Sequence, residues 1–166
     1  MSRNIALLLC LLLAVALVPR GALAADTRFS PGSPGLGDGY FPLAGNGGYD
    51  VQHYDLDLRY TPTTDMLAGT ATITARATQN LSRFNLDFEG LTIRSLKVNG
   101  HTARWIRDGG ELIITPPSGL REGSTFTVAV RYDGVPAPIF DNLGISGFLH
   151  TDDGAVITGE PRVAAT

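Results

Sequence analysis

The sequence predicts an all-β domain, an antiparallel β-sandwich or a large curved sheet. Three observations predict it. Apolar residues alternate with polar ones at a period of two in segment after segment. Beyond the first two dozen residues, no window carries the 3.6-residue period of an amphipathic helix. Turns rich in Gly, Asn and Asp punctuate the alternation at short spacing, leaving room for about seven or eight strands.

The N-terminal end stands outside this pattern. Arg3 supplies a positive charge, Ile5–Val18 is an unbroken apolar run, and Ala22-Leu23-Ala24 is a small-x-small site. These are the parts of a secretory signal peptide over 1–24. The run falls short of the ~20 residues that span a bilayer, and Pro19-Arg20 closes it, so a membrane anchor is disfavoured. Cleavage after Ala24 places the chain outside the cell, secreted and free of membrane. It removes Cys10, the one cysteine, and with it any disulfide framework. It also removes Arg3 and Arg20, which leaves 11 basic and 16 acidic side chains. Without a basic run, neither nucleic acid nor an anionic membrane surface is an expected partner.

Residues 25–48 read as a flexible linker. Gly and Pro dominate, and too little apolar area is present to offset the entropy of ordering. At its end, Tyr40-Phe41-Pro42 offers two rings for packing on the domain edge or, as a second reading, for stacking on a ligand. The domain proper is expected over 49–166.

The strands follow in order. Tyr54, Leu56, Leu58 and Tyr60 alternate with Asp55, Asp57 and Arg59, as in a half-buried strand. After the Thr61–Asp65 break, Leu67, Gly69, Ala71, Ile73, Ala75 and Ala77 share one face and threonines take the other. The small residues imply close approach of another sheet or loop, and the threonines favour strand over helix. Phe84, Leu86 and Phe88 form a third strand. The Leu91–Val98 strand slips phase between Ile93 and Leu96, which predicts a bulge. Asn99-Gly100 fits a type I′ hairpin turn, because both central residues need positive φ. A return strand over His101–Arg107 places Ala103, Trp105 and Arg107 on one face. Further strands are Glu111–Thr115 and the Phe126, Val128, Val130, Tyr132 alternation. A last hairpin, Phe148–Thr151 with Ala155–Thr158, turns at Asp152-Asp153-Gly154.

The residues show no self-sufficient active site. His53, His101 and His150 lie on separate strands, and no H-E-x-x-H pair presents two zinc ligands on one helical face. Each histidine reads as a strand-surface or satisfied core residue. Asp152-Asp153-Gly154 lacks the alternating ligands and distal Glu of a calcium loop. Trp105 is expected in the core, with a sugar-stacking platform as the other reading. Asn80-Leu81-Ser82 is a glycosylation sequon.

Five stretches together resemble the N-terminal domain of secreted zinc aminopeptidases of the aminopeptidase N family. They are GNGGYDVQHYDLDLRY at Gly45–Tyr60, LAGTATITARA at Leu67–Ala77, FNLDFEGLTIRSLKVNG at Phe84–Gly100, FTVAVRYDG at Phe126–Gly134 and GFLHTDDGAVITGEPRVAAT at Gly147–Thr166. The resemblance implies a saddle-shaped β domain set against a catalytic domain. That second domain would carry H-E-x-x-H, a later Glu as third zinc ligand, and a Gly-x-Met-Glu-Asn segment. The N-terminal domain lends an acidic or Gln group that pairs with the free α-ammonium of a peptide. Glu160 is the residue that matches this position. The Trp/Arg-and-Pro continuation of the family pattern is not present before Thr166.

Carried to function, the resemblance implies a domain that forms one wall of the cleft of a zinc-dependent aminopeptidase. Its partner is the N-terminus of a peptide substrate, met together with a catalytic domain that lies beyond this chain. No catalytic or metal-ligating residue is assigned here, and zinc belongs to the full-length family enzyme. The chain by itself is expected to be inactive, as a C-terminally incomplete piece of an enzyme or a truncated product. The contrasting expectation is a free-standing secreted β-sandwich that binds carbohydrate or protein through Trp105 or the Tyr40-Phe41 rings. A domain shaped to meet a partner is also expected to leave an apolar patch uncovered.

Overall fold

The computed structural model describes residues 28–37, 39, 45–141, 144–158 and 164–165. Among these, thirteen strands occur: β1 (Ser30–Pro31), β2 (Tyr49–Thr61), β3 (Met66–Ala77), β4 (Leu81–Asp87), β5 (Thr92–Val98), β6 (His101–Thr102), β7 (Arg104–Asp108), β8 (Glu111–Thr115), β9 (Thr125–Gly134), β10 (Pro138–Asp141), β11 (Gly144–His150), β12 (Ala155–Thr158) and β13 (Ala164–Ala165). They form three sheets, in the orders β2-β3-β9-β5-β6, β1-β4-β8-β7 and β10-β11-β12-β13. The all-β expectation holds.

The five-stranded sheet is antiparallel throughout, and its register explains the composition of β3. Residues directly opposite share a face. One row reads Leu58, Gly69, Tyr132, Ile93; the next Leu56, Ala71, Val130, Leu96; the next Tyr54, Ile73, Val128, Val98. Large side chains on β2 and β9 thus flank small ones on β3. At Gly69 an added Cβ would lie 2.6 Å from Leu58 Cδ2 and 2.9 Å from the Asp57 carbonyl oxygen. The close neighbours of that small residue are therefore within its own sheet.

Two bulges shift the alternation. Arg94 is the extra residue between Ile93 and Ser95, where the sequence predicts a slip. Gln52 is a second extra residue, between Val51 and His53. It brings both Val51 and Tyr54 to the inner face.

The four-stranded sheet covers part of that face. Leu81, Phe84, Leu86, Leu112 and Ile114 are buried against Ile73, Ala75, Leu96, Val98, Phe126, Val128 and Val130. The ring centroids of Phe84 and Phe126 lie 5.3 Å apart, and Tyr49 meets them edge-on at 5.7 and 6.2 Å. The Tyr49 hydroxyl donates to the Asn85 carbonyl oxygen at 2.7 Å, so the ring is buried without an orphaned polar tip. Burial pushes the Tyr49 phenol well above its ordinary pKa.

Turns behave as their chemistry requires. Asn99 and Gly100 sit at φ 50° and 78°, the signs of a type I′ turn. The Asn99 side-chain oxygen also accepts from the Thr127 amide at 2.9 Å, which ties the turn to β9. The expected His101–Arg107 strand divides at Ala103. Residues 101–102 pair with β5, and 104–108 cross to pair with β8. Ala103 is buried at the crossing, and its amide donates to Leu96 O at 3.1 Å.

Part of the segment expected as a linker lies against the domain. The Ser30 amide donates to Asn80 O and the Gly32 amide to Arg83 O, both at 2.9 Å, while Gly47 N donates to Ser33 O at 2.8 Å. β1 joins β4 in parallel, and the Phe29 ring rests on Gly119. A Gly/Pro-rich stretch can be held this way because edge pairing uses backbone groups and needs no apolar periodicity. The expected signal segment, Tyr40, Phe41 and Glu160 lie outside the described residues.

Candidate functional site

The site begins at the third sheet. Its β11–β12 hairpin pairs Phe148 with Ile157, Leu149 with Val156 and His150 with Ala155. The Thr151 amide closes the turn on Gly154 O at 3.0 Å. This is the expected hairpin, with its Asp-Asp-Gly turn serving geometry. β12 ends at Thr158, two residues before Glu160.

A polar junction fastens the hairpin to the five-stranded sheet. The Tyr60 hydroxyl donates to Asp65 Oδ1 at 2.9 Å and lies 3.0 Å from His150 Nδ1. His150 Nδ1 is 3.1 Å from Asp65 Oδ1, and Nε2 is 2.6 Å from the Pro136 carbonyl oxygen. Since a carbonyl only accepts, Nε2 carries a proton and donates there. Rings reinforce the contact: Tyr60 and Phe148 centroids are 5.2 Å apart, and Tyr60 and His150 stack at 6.2 Å. Desolvation raises the Tyr60 pKa, with the Asp65 carboxylate acting in the same direction.

Local sequence explains the geometry. Pro62 starts a single 3-10 turn after β2, and Asp65 closes it at φ 53°, a left-handed conformation that Asp tolerates better than most residues. That turn swings the Asp65 carboxylate back to Tyr60. The junction's residues, 60, 65 and 150, have no spacing that a sequence motif would flag. His150 is thus the satisfied histidine expected. His53 and His101 are exposed on β2 and β6. Among the described residues, no group of three or more His, Cys, Asp or Glu could hold a metal ion.

Beside the junction, the inner face of the five-stranded sheet is open. Tyr54, Leu56 and Leu58 are 56%, 54% and 49% exposed. The alternation predicts them on the buried face of a half-buried strand, but the sheet of β1, β4, β8 and β7 does not reach over them. A groove of about 620 Å³ follows, with Tyr54, Leu56, Ala71 and Tyr132 on its floor and Asp87 and Glu89 at its edge. Tyr132 stacks edge-on against Phe88 at 5.4 Å, and the Arg107 guanidinium lies 4.9 Å from the Phe88 ring centre. Nearby, Glu111 accepts from Asn85 Nδ2 at 3.0 Å. Burial raises the Glu111 pKa, the Asn85 bond opposes this, and Asp87 and Asp108 add to the rise. Trp105 stands opposite the buried Ile114, on the edge strand β7, and is 39% exposed. It lies at the rim of the core rather than within it.

No protein-family model matches the chain, and no curated protein sequence does. Solved structures do. A two-domain M1 zinc metallopeptidase, determined as a variant bound to L-arginine, aligns with TM-score 0.68 and 34% identity over 77% of this chain. The β domain matches that of the M1 zinc metallopeptidases. An M1 zinc metallopeptidase from Deinococcus radiodurans aligns with TM-score 0.67 and 35% identity over 76% of this chain. A variant of the Deinococcus radiodurans protein, bound to a Tyr-Ser-Ala substrate, aligns with TM-score 0.67 and 33% identity over 77%. The chain spans 30% of the length of each of these proteins. The resemblance to the aminopeptidase N family is therefore borne out in fold and sequence. The M1-type match concerns a β domain, and the described residues of that domain do not supply a zinc-binding cluster.

Proposed function

We propose that this chain is the N-terminal domain of an exported zinc-dependent aminopeptidase. It forms one wall of the substrate cleft, and Glu160 pairs with the α-ammonium of the peptide. The likeness to M1 zinc metallopeptidases at 34% identity over 77% of the chain carries this reading. One of those neighbours is bound to a Tyr-Ser-Ala substrate, which supports a peptide as the ligand class.

Two features of the chain support the role of a cleft wall. The hairpin that leads to Glu160 is held twice from outside: the Tyr60–Asp65–His150 junction fastens its turn end, and β10 pairs along the outer side of β11. A carboxylate that recognises an ammonium needs such support, since loose positioning forfeits most of the gain. The third sheet also exposes Phe140 and Ile145, directly opposite each other on one face, at 73% and 49%. Apolar exposure on this scale suits a face covered by a further domain. Zinc, and the groups that activate water on it, would come from that domain; the described residues here do not fit the metal.

The test has two steps. The reading frame is translated past Thr166 and searched for H-E-x-x-H. Its absence would refute the enzyme-domain reading for this gene. Where it is present, Glu160→Gln is measured in the full-length enzyme on free and N-acetylated peptides. The expected result is a KM for free peptides raised by about tenfold or more, the cost of removing one charge-assisted bond. Unchanged kinetics would remove Glu160 from the site and leave the domain assignment standing.

A further inference from the structure

We infer that the free edge of β2 is a self-complementary surface that takes a second copy of this chain, joining two five-stranded sheets into one continuous sheet. β2 is the terminal strand of its sheet, and among the described residues nothing pairs with its outer side. An edge of this length, Tyr49 to Thr61, with Tyr54, Leu56 and Leu58 about half exposed, is a template for strand addition.

The charges on β2 choose the occupant. Asp55, Asp57 and Arg59 occupy the outer face, opposite Thr72, Thr70 and Ala68 of β3. None of the three meets an opposite charge across that pair. An incoming antiparallel strand must therefore place a cation beside Asp57 and an anion beside Arg59, at a separation of two residues. A second β2 does this when the two-fold axis passes through Leu58. Asp57 of each copy then faces Arg59 of the other, twice. On the inner face Leu58 meets Leu58, and Leu56 meets Tyr60.

Neighbouring registers are poorer. Centring on Asp57 pairs Asp55 with Arg59 in both halves but sets the two Asp57 carboxylates against each other at the axis, where the register through Leu58 has no like-charge pair. Centring on Leu56 puts Asp57 against Asp55 in both halves of the pair. Shifts by one residue would set apolar residues against charged ones. The register through Leu58 keeps both inner faces on the same side and pairs Asp55 to Thr61 of each strand.

Sedimentation of the full chain tests the inference. Arg59→Asp alone and Asp57→Arg alone should each weaken self-association by about tenfold or more, by creating like-charge pairs. The double reversal Asp57→Arg with Arg59→Asp should restore it to within about threefold. Association through the N-terminal apolar run would be indifferent to all three, and that result would overturn the proposal, as would a monomer at every concentration. The charges are exposed, so circular dichroism should show folded variants. Independently, Leu58→Cys in a Cys10→Ser background should crosslink rapidly under mild oxidation, because the paired Cα atoms come within disulfide range. Equal crosslinking by Leu56→Cys would refute the register.

Discussion

The Tyr60 hydroxyl, at the end of β2, donates to Asp65 across 2.9 Å and lies 3.0 Å from the His150 ring nitrogen of β11. One side chain thus bonds the β2–β3 turn and the third sheet together. Tyr60→Phe keeps the ring against Phe148 and removes the hydroxyl. Hydrogen exchange at the β11–β12 amides is expected to speed up on the order of threefold to tenfold, while β9 amides are unchanged. Equal change in both regions would mean that the junction is not a local fastening.

Core and open face should differ in cost. Phe84 is fully buried among Tyr49 and Phe126, so Phe84→Ala is expected to destabilise the domain by about 3–5 kcal/mol. Leu58 is 49% exposed on the uncovered part of the same sheet. Leu58→Ala should cost less than about 1.5 kcal/mol, since little apolar area returns to water. Denaturant titration of both variants checks the contrast.

Gly69 is a packing position, with ordinary backbone geometry. An added Cβ meets the Asp57 carbonyl oxygen at 2.9 Å, and backbone cannot swing away as the Leu58 side chain can. Gly69→Ala is expected to cost about 1–3 kcal/mol in denaturant titration. A stabilised variant would show that β2 and β3 slide apart freely.

Glu111 carries a pH dependence of definite sign. Its folded pKa is raised, chiefly by burial, so the folded state binds the proton more tightly than the unfolded chain. Its contribution is fully present below the ordinary Glu range of about 4.3 and is lost as pH rises through the folded pKa. Glu111→Gln retains an acceptor for Asn85 and removes the charge beside Asp87 and Asp108. The variant should melt higher than the parent at about pH 7, with the gap closing towards about pH 4. A gap that widens on acidification would reverse the assignment.

Local signals and tertiary decisions divide cleanly along this chain. Periodicity alone identifies β3 and β9, because alternating residues must face opposite sides of a strand. Asn99-Gly100 states its own turn, because few residues accept positive φ, and the slip at Ile93–Leu96 announces the Arg94 bulge. The Gln52 bulge was hidden because Tyr49, Val51, Tyr54 and Leu56 are all apolar or aromatic on either phase. The break at Ala103 was hidden because one alternating pattern suits both sheets. Pairing of Ser30-Pro31 with β4 left no trace in side chains, since it rests on backbone bonds.

The same division holds for the candidate site. Chain order and residue type point to Glu160 through family resemblance, and they foresee the hairpin that leads to it. The meeting of Tyr60, Asp65 and His150 was decided by tertiary structure alone, because it depends on a left-handed turn and on a sheet ninety residues further along the chain. So was the exposure of Tyr54, Leu56 and Leu58. The sequence by itself determined which residues of β2 share a face. Only the reach of the second sheet decided which of them water would see.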